Sequence, residues 1–134
     1  MTKQISSVEA LLGVPTEEVG TVLGLAHWIE AGVPVSAVER LAKAVAPADG
    51  GFKFRLVPKA TLERRRKTRK LTGEEGNRLA RLIKIFSMAS SIFRDEAKVR
   101  DFLARPHPML ESRSPLDVAL ASGPGADAVL NLLG

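Results

Sequence analysis

The chain has 134 residues, 45% of them apolar, and a formal net charge of +5. That length fits one domain or two small helical lobes, and no apolar run approaches the ~20 residues that would cross a bilayer. The absence of cysteine excludes a disulfide framework, a thiolate nucleophile and a cysteine-ligated zinc site, and two histidines, His27 and His107, do not make a metal site. The opening stretch MTKQISSVEALL has one lysine and neither a long apolar core nor a small-residue cleavage site, so the expected location is the cytoplasm.

The charge is unevenly placed. Between Lys53 and Lys70, the nine basic residues Lys53, Arg55, Lys59, Arg64, Arg65, Arg66, Lys67, Arg69 and Lys70 meet a single acid, Glu63. Eleven basic and fourteen acidic residues make up the rest. Such an island is the footprint of a phosphate-binding surface, because neutralising phosphates releases condensed counterions; it is equally the footprint of a solvated basic helix face.

In chain order, a first helix is predicted over about Thr16 to Ala31, with Val19, Val22, Leu23, Ala26 and Ile29 at spacings of three and four and Gly32 as its stop. Gly20 and Gly24 inside it cost about 1 kcal/mol each relative to alanine, which points to close packing of another backbone or to a weak helix. Trp28 is assigned to core or interface. A second helix opens at Ser36, in a capping box with Glu39, buries Val38, Leu41, Ala42 and Val45, and ends at Pro47. In ADGGFKFRLV, Phe52, Phe54 and Leu56 alternate with Lys53 and Arg55, a period of two that predicts a short extended segment near 52–56. Pro58 suits the first position of a third helix reaching about Arg69. Leu62 is its only large apolar residue, so most of its surface meets water or phosphate.

Thr72-Gly73-Glu74-Glu75 forms another capping box, and the helix it starts is the longest, running to about Phe93. Leu79, Leu82, Ile83, Phe86, Ser90 and Phe93 make one apolar stripe, and Ile85, Met88 and Ile92 a second. A helix apolar on two sides must bury both, so the second stripe meets the other lobe of the same chain or forms a homodimer seam. Asp95 caps a short helix with Val99, Phe102 and Leu103 that stops before Arg105-Pro106-His107-Pro108. Ser114 caps another, with Pro115 at its first position and Asp117 where its charge suits the helix dipole. Gly123-Pro124-Gly125 is expected to break the chain before a last helix with Ala126, Val129, Leu130 and Leu133. An apolar terminus without a polar tail is expected to dock onto something.

No residue is assigned to catalysis. Ser87, Ser90 and Ser91 have no histidine nearby in sequence, and the glycine clusters lack the lysine and hydroxyl residue of a phosphate-binding loop. His27 is assigned to half-buried packing and His107, between two prolines, to a rigid surface contact. The expectation is an all-α protein that is not an enzyme and uses no cofactor and no metal. With five phenylalanines, one tryptophan and no tyrosine, none forming an exposed stacking platform, single-stranded RNA is a poor candidate partner.

Three ordered segments, GVPVSAVERLAKAV, then LVPKATLERRRKTRKLTGEEGNRLARLIKIFSMASSIF, then RDEAKVRDFLARPHPMLESRSPLDVALASGPGADAVLNLLG, resemble the Xre/MbcA/ParS family of antitoxins over roughly residues 30–134. The signal is the series: a basic P-x-x-T-L-x-R-R-R helix, a long helix ending in Ile-Phe, an acidic cap followed by F-L-x-x-P, R-S-P-L-D, and a short terminal helix ending in Leu-Leu-Gly. The resemblance implies a helix-turn-helix-like region over 1–71, followed over 72–134 by a long linking helix and a toxin-binding domain. It further implies the antitoxin of a type II pair, which occludes the active site of a RES-domain toxin that consumes NAD or transfers its ADP-ribose. A homodimer within a toxin–antitoxin hetero-oligomer and autoregulation through operator DNA belong to the same expectation.

Carried over by position, Arg105, Pro106, His107, Pro108, Arg113, Ser114, Pro115, Leu116 and Asp117 form the toxin-facing module, with Leu116 in its core and Asp117 as a cap. The terminal helix, through Asn131, Leu133 and Gly134, is expected at the toxin's active-site entrance, with Arg113 and the terminal carboxylate as direct contacts. Lys59, Thr61, Arg64, Arg65, Arg66 and Lys67 are the residues expected to read or anchor DNA, and Ile85, Met88 and Ile92 the dimer seam. Two departures stand out: ADGGFKFRLV replaces a helix, and Glu111-Ser112 replace a glycine-containing turn. A recognition helix needs a scaffold that aims it into the major groove, so the first departure bears on operator binding. The competing expectation is a stand-alone dimeric DNA-binding transcriptional regulator, which would bind DNA without any partner and lose affinity steeply with salt.

Overall fold

The computed structural model describes Leu23, His27, residues 30–71 and residues 73–134. Leu23, His27, Glu30 and Ala31 are helical. The rest of the first predicted helix, with Gly20, Gly24 and Trp28, and Thr72 of the second capping box lie outside the described residues.

In order, the elements are β1 (Val33–Pro34), α1 (Ser36–Val45), α2 (Lys53–Leu56), α3 (Lys59–Arg65), β2 (Lys70–Leu71), α4 (Gly73–Phe93), α5 (Glu96–Ala104), a 3-10 turn (Pro108–Leu110), α6 (Pro115–Ala121) and α7 (Gly123–Leu133). Among the described residues the fold is all-α apart from an antiparallel clip, in which Val33 pairs with Leu71 and Pro34 with Lys70, and an isolated bridge between His107 and Arg113. The clip closes α1, α2 and α3 into a lobe. Its corner requires Gly32, at φ +97°, where a side chain would meet that of Lys70. The Lys70 ammonium instead donates to the Ala31 carbonyl at 3.1 Å.

The long helix α4 is the shared spine. Leu79, Leu82, Ile83, Phe86 and Ser90 are buried, as the first stripe predicts. The second stripe is split. Ile85 is 1% exposed, and together with Leu41, Val45, Phe52 and Leu56 of the first lobe and Leu103, Leu116 and Ala119 of the second it surrounds an apolar void of about 10 Å³. A homodimer seam through Ile85 is therefore overturned: both lobes of its own chain cover that side of α4. Met88 is half-buried, and only Ile92, 49% exposed, faces solvent.

Four local expectations are corrected. Residues 53–56 are helical, not extended: Phe52 and Leu56, four apart, are buried, and Phe54 between them is exposed. Asp49 starts the tight winding by accepting from the Gly51 amide at 3.0 Å. Ser36 caps nothing, because the chain enters α1 at Val35, whose N–H is taken by the Arg69 carbonyl at 3.0 Å, while Glu39 pairs with Lys53 at 2.8 Å. Pro58 sits one residue before α3, and that helix ends at Arg65. There the Thr68 hydroxyl donates to the Arg65 carbonyl at 3.2 Å and Arg69 takes a left-handed φ of 62°, turning the chain into β2. Finally, Gly123 and Pro124 open α7 instead of breaking the chain, since the Ser122 hydroxyl accepts from the Gly125 amide at 3.0 Å.

The other caps form as expected. Asp95 accepts from the Ala97 and Lys98 amides at 2.8 and 3.4 Å, and Ser114 from the Asp117 amide at 3.1 Å. The apolar terminal helix docks within the chain, against α4 and α6, burying Ala126 and Val129 and half-burying Leu130, Leu132 and Leu133. Gly125 permits the approach, because a Cβ there would collide with the Val118 carbonyl oxygen.

Candidate functional site

The first candidate surface is built on α2 and α3, joined by Val57 and Pro58 in a helix-turn-helix arrangement. Phe52, Leu56 and Val57 are buried, so α2 and the turn before α3 are rooted in the core. Leu62 anchors α3 into the core, and the Arg65 Nε donates to the Glu75 carboxylate at 2.7 Å, fastening the end of α3 to the first turn of α4. This partly buried pair gives Arg65 a positioning role that sequence alone does not reveal. Thr61 is half-buried and lines a cavity of about 210 Å³ with Leu56, Pro58, Glu74, Glu75 and Arg78.

The basic island divides into engaged and free members. Lys53 pairs with Glu39, Arg55 with Asp117 at 2.9 Å, and Lys70 caps the Ala31 carbonyl. Lys59, Arg64, Arg66, Lys67 and Arg69 are exposed, and among the described residues none has an ion-pair or hydrogen-bond partner for its side chain. Lys59 and Lys53 flank the exposed Phe54 ring, with ammonium groups 6.0 and 5.4 Å from its centroid. The free cations thus gather on α3 and the turn behind it, where a phosphate backbone would neutralise them.

The second candidate surface is the loop between α5 and α6. Its organiser is His107: the backbone N–H donates to the Arg113 carbonyl at 3.0 Å, the carbonyl accepts from Leu110 and Ser112, and Nδ1 accepts from the Met109 amide at 3.1 Å. One imidazole nitrogen thus caps the loop's own backbone, and the ring is half-buried. Ser114 and Pro115 are likewise buried and build the module instead of facing a partner. Arg105 Nη2 donates to both Asp101 oxygens, at 2.9 and 2.7 Å. That hydrogen bonding, followed by the carboxylate's charge, raises the guanidinium pKa above its already high ordinary value.

Asp117 does not act as the cap; its amide is the capped group, and its carboxylate reaches across to Arg55. The pair joins α2 to α6, so a residue of the basic island and one of R-S-P-L-D meet although 62 positions separate them. Leu116 packs against the core, as expected. Left at the surface are Arg105, Pro106, Pro108, Arg113, Asn131 and Gly134, with Leu133 half-buried. To these the structure adds Met109, 76% exposed, which no pattern singles out because one apolar residue in a loop has no periodicity.

A further cavity of about 270 Å³ lies between α4 and the α6–α7 junction, lined by Asn77, Arg78, Arg81, Ser122 and Gly123 among others. Among the described residues, no cluster of three or more His, Cys, Asp or Glu is placed to hold a metal, and no helix is long and apolar enough to cross a membrane.

Residues 29–84 match a family model described as the antitoxin Xre-like helix-turn-helix domain. Residues 88–134 match one described as the antitoxin Xre/MbcA/ParS C-terminal toxin-binding domain. No curated protein matches the chain. The two matched regions meet inside α4, so the helix that carries the common core also carries the junction.

Proposed function

The chain belongs to the Xre/MbcA/ParS family of antitoxins, with the helix-turn-helix and toxin-binding domains of a type II antitoxin, and we propose that it neutralises a RES-domain toxin by seating its C-terminal module over the toxin's active site. The observation that carries this proposal is a toxin-binding domain whose buried Ser114 and Pro115 hold a rigid frame, while Arg113, Asn131 and Gly134 stand at its surface. Occlusion asks no chemistry of the inhibitor. It asks for a preformed surface, because every side chain ordered on binding costs free energy. A toxin of this kind would consume NAD or transfer its ADP-ribose, and α7 with Asn131, Leu133 and Gly134 would lie at the entrance to that site.

The same proposal includes repression of the operon through α3, with Lys59, Arg64, Arg66 and Lys67 on DNA and Arg65 positioning the helix. It also includes pairing of two copies within the complex, through a contact that uses Ile92 and not Ile85. The free cations of α3 would suit a stand-alone regulator equally well. Each phosphate they neutralise contributes about 0.9 to the slope of log K against log salt. What separates the two is dependence on a partner.

Co-expression of the tagged chain with the product of the adjacent reading frame tests the proposal. The expected outcome is a complex that survives purification, and a neighbour that stops growth when expressed alone. A harmless neighbour that does not co-purify, beside a chain that binds operator DNA by itself, would establish the regulator instead.

A further inference from the structure

Met109 is the most exposed large apolar side chain described, and it sits on a loop closed by its own hydrogen bonds. Five backbone hydrogen bonds close residues 107–113 on themselves: His107 N–H to the Arg113 carbonyl, Leu110 and Ser112 to the His107 carbonyl, Glu111 to the Pro108 carbonyl, and Arg113 to the Leu110 carbonyl. His107 Nδ1 holds the Met109 amide itself. Pro106 and Pro108 fix two further φ angles, and Leu110, the next residue along, is buried as the loop's root. Glu111 and Ser112 follow in consecutive left-handed conformations, φ 57° and 64°, which residues with a side chain rarely adopt. Strain of this kind persists only where the surroundings over-determine it, and it concentrates at binding sites.

A connector between α5 and α6 needs none of this, and a polar residue in place of Met109 would serve it better. An exposed methionine held by a rigid backbone is instead the form of a binding anchor. The frame's ordering cost is met on folding, while the flexible thioether still adapts to an irregular pocket. Arg113, at the far end of the His107 bridge, is exposed and has no acid partner among the described residues. We infer that Met109 inserts into an apolar socket on the toxin and that Arg113 meets a carboxylate on the socket's rim. The inference rests on the toxin-binding reading of residues 88–134 and names the contact at its centre.

The test measures the affinity of the full chain for the purified product of the adjacent reading frame, alongside the thermal stability of the free chain. Met109→Ala is expected to weaken binding roughly tenfold to a hundredfold, as truncated anchors do. Met109→Leu should stay within a few-fold of the original, Met109→Glu should abolish capture, and all three should melt with the unaltered chain because the side chain touches solvent. Wild-type binding retained by Met109→Ala and Met109→Glu would overturn the anchor and leave the toxin-binding function standing. An affinity loss matched by a loss of thermal stability would also overturn it, making Met109 structural. Failure of the unaltered chain to bind would remove the toxin-binding reading and the anchor with it.

Discussion

Glu111 and Ser112 occupy positions where the resemblance leads one to expect glycine, and the backbone keeps the glycine geometry without the glycine. A side chain in the left-handed region costs about 1–2 kcal/mol, whereas glycine gives back roughly 0.5–1 kcal/mol through its greater entropy loss on folding. Glu111→Gly and Ser112→Gly are therefore each expected to stabilise the chain by up to about 1 kcal/mol. Thermal melts check this, and an unchanged or lowered midpoint would mean that the side chains make up the backbone cost elsewhere. At this scale the sequence is legible where the chemistry is local. Asp95 and Ser114 cap their helices because each acts on amides two or three residues away. Ser36 misleads because the Arg69 carbonyl, 34 residues along the chain from Val35, sets how the chain enters α1. The cap made by His107 is not legible because two flanking prolines show a rigid loop without showing which way the ring turns.

The elements show why the pattern of α2 was ambiguous. Phe52, Phe54 and Leu56 satisfy a period of two, yet only Phe52 and Leu56 are buried, and four residues apart is also a helical spacing. The long helix was legible in extent and in its first stripe; the partner of its second stripe was not, because amphipathicity reports that a face is covered and not by what. Between α3 and α4, the Arg65–Glu75 pair supports a prediction in which two effects oppose each other. Removing an acid near the basic surface should tighten DNA binding on electrostatic grounds alone. If the pair positions α3, which is otherwise rooted by Leu62, Glu75→Gln should instead weaken binding severalfold at low salt while costing about 1 kcal/mol or less in stability. Titration of operator DNA at two salt concentrations decides between them, and tighter binding by the variant would refute the positioning role of Arg65.

Across the whole molecule, the two matched domains share one core. Ile85 lies under residues from both lobes, and the Arg55–Asp117 pair links them at the surface, so neither half is an independent bead on a linker. That organisation explains why charge alone overstated the basic surface: Lys53, Arg55, Arg65 and Lys70 are engaged by groups of the chain itself, and the remaining cations of the island are the ones free to meet phosphate. The C-terminal half is organised in the same way. Val129 roots α7 on the core, while Asn131 and Gly134 stay exposed at its end; a deletion from Asn131 also takes the half-buried Leu132 and Leu133 but leaves the buried Ala126 and Val129 in place. The most direct test of inhibition by occlusion is therefore the cellular NAD level and growth of cells expressing the adjacent reading frame with the intact chain or with a chain lacking Asn131 to Gly134. The intact chain should preserve both NAD and growth, and the shortened chain should remain folded and lose protection. Full protection by the shortened chain, or a growth arrest with NAD untouched, would contradict occlusion of an NAD-consuming site by the terminal helix.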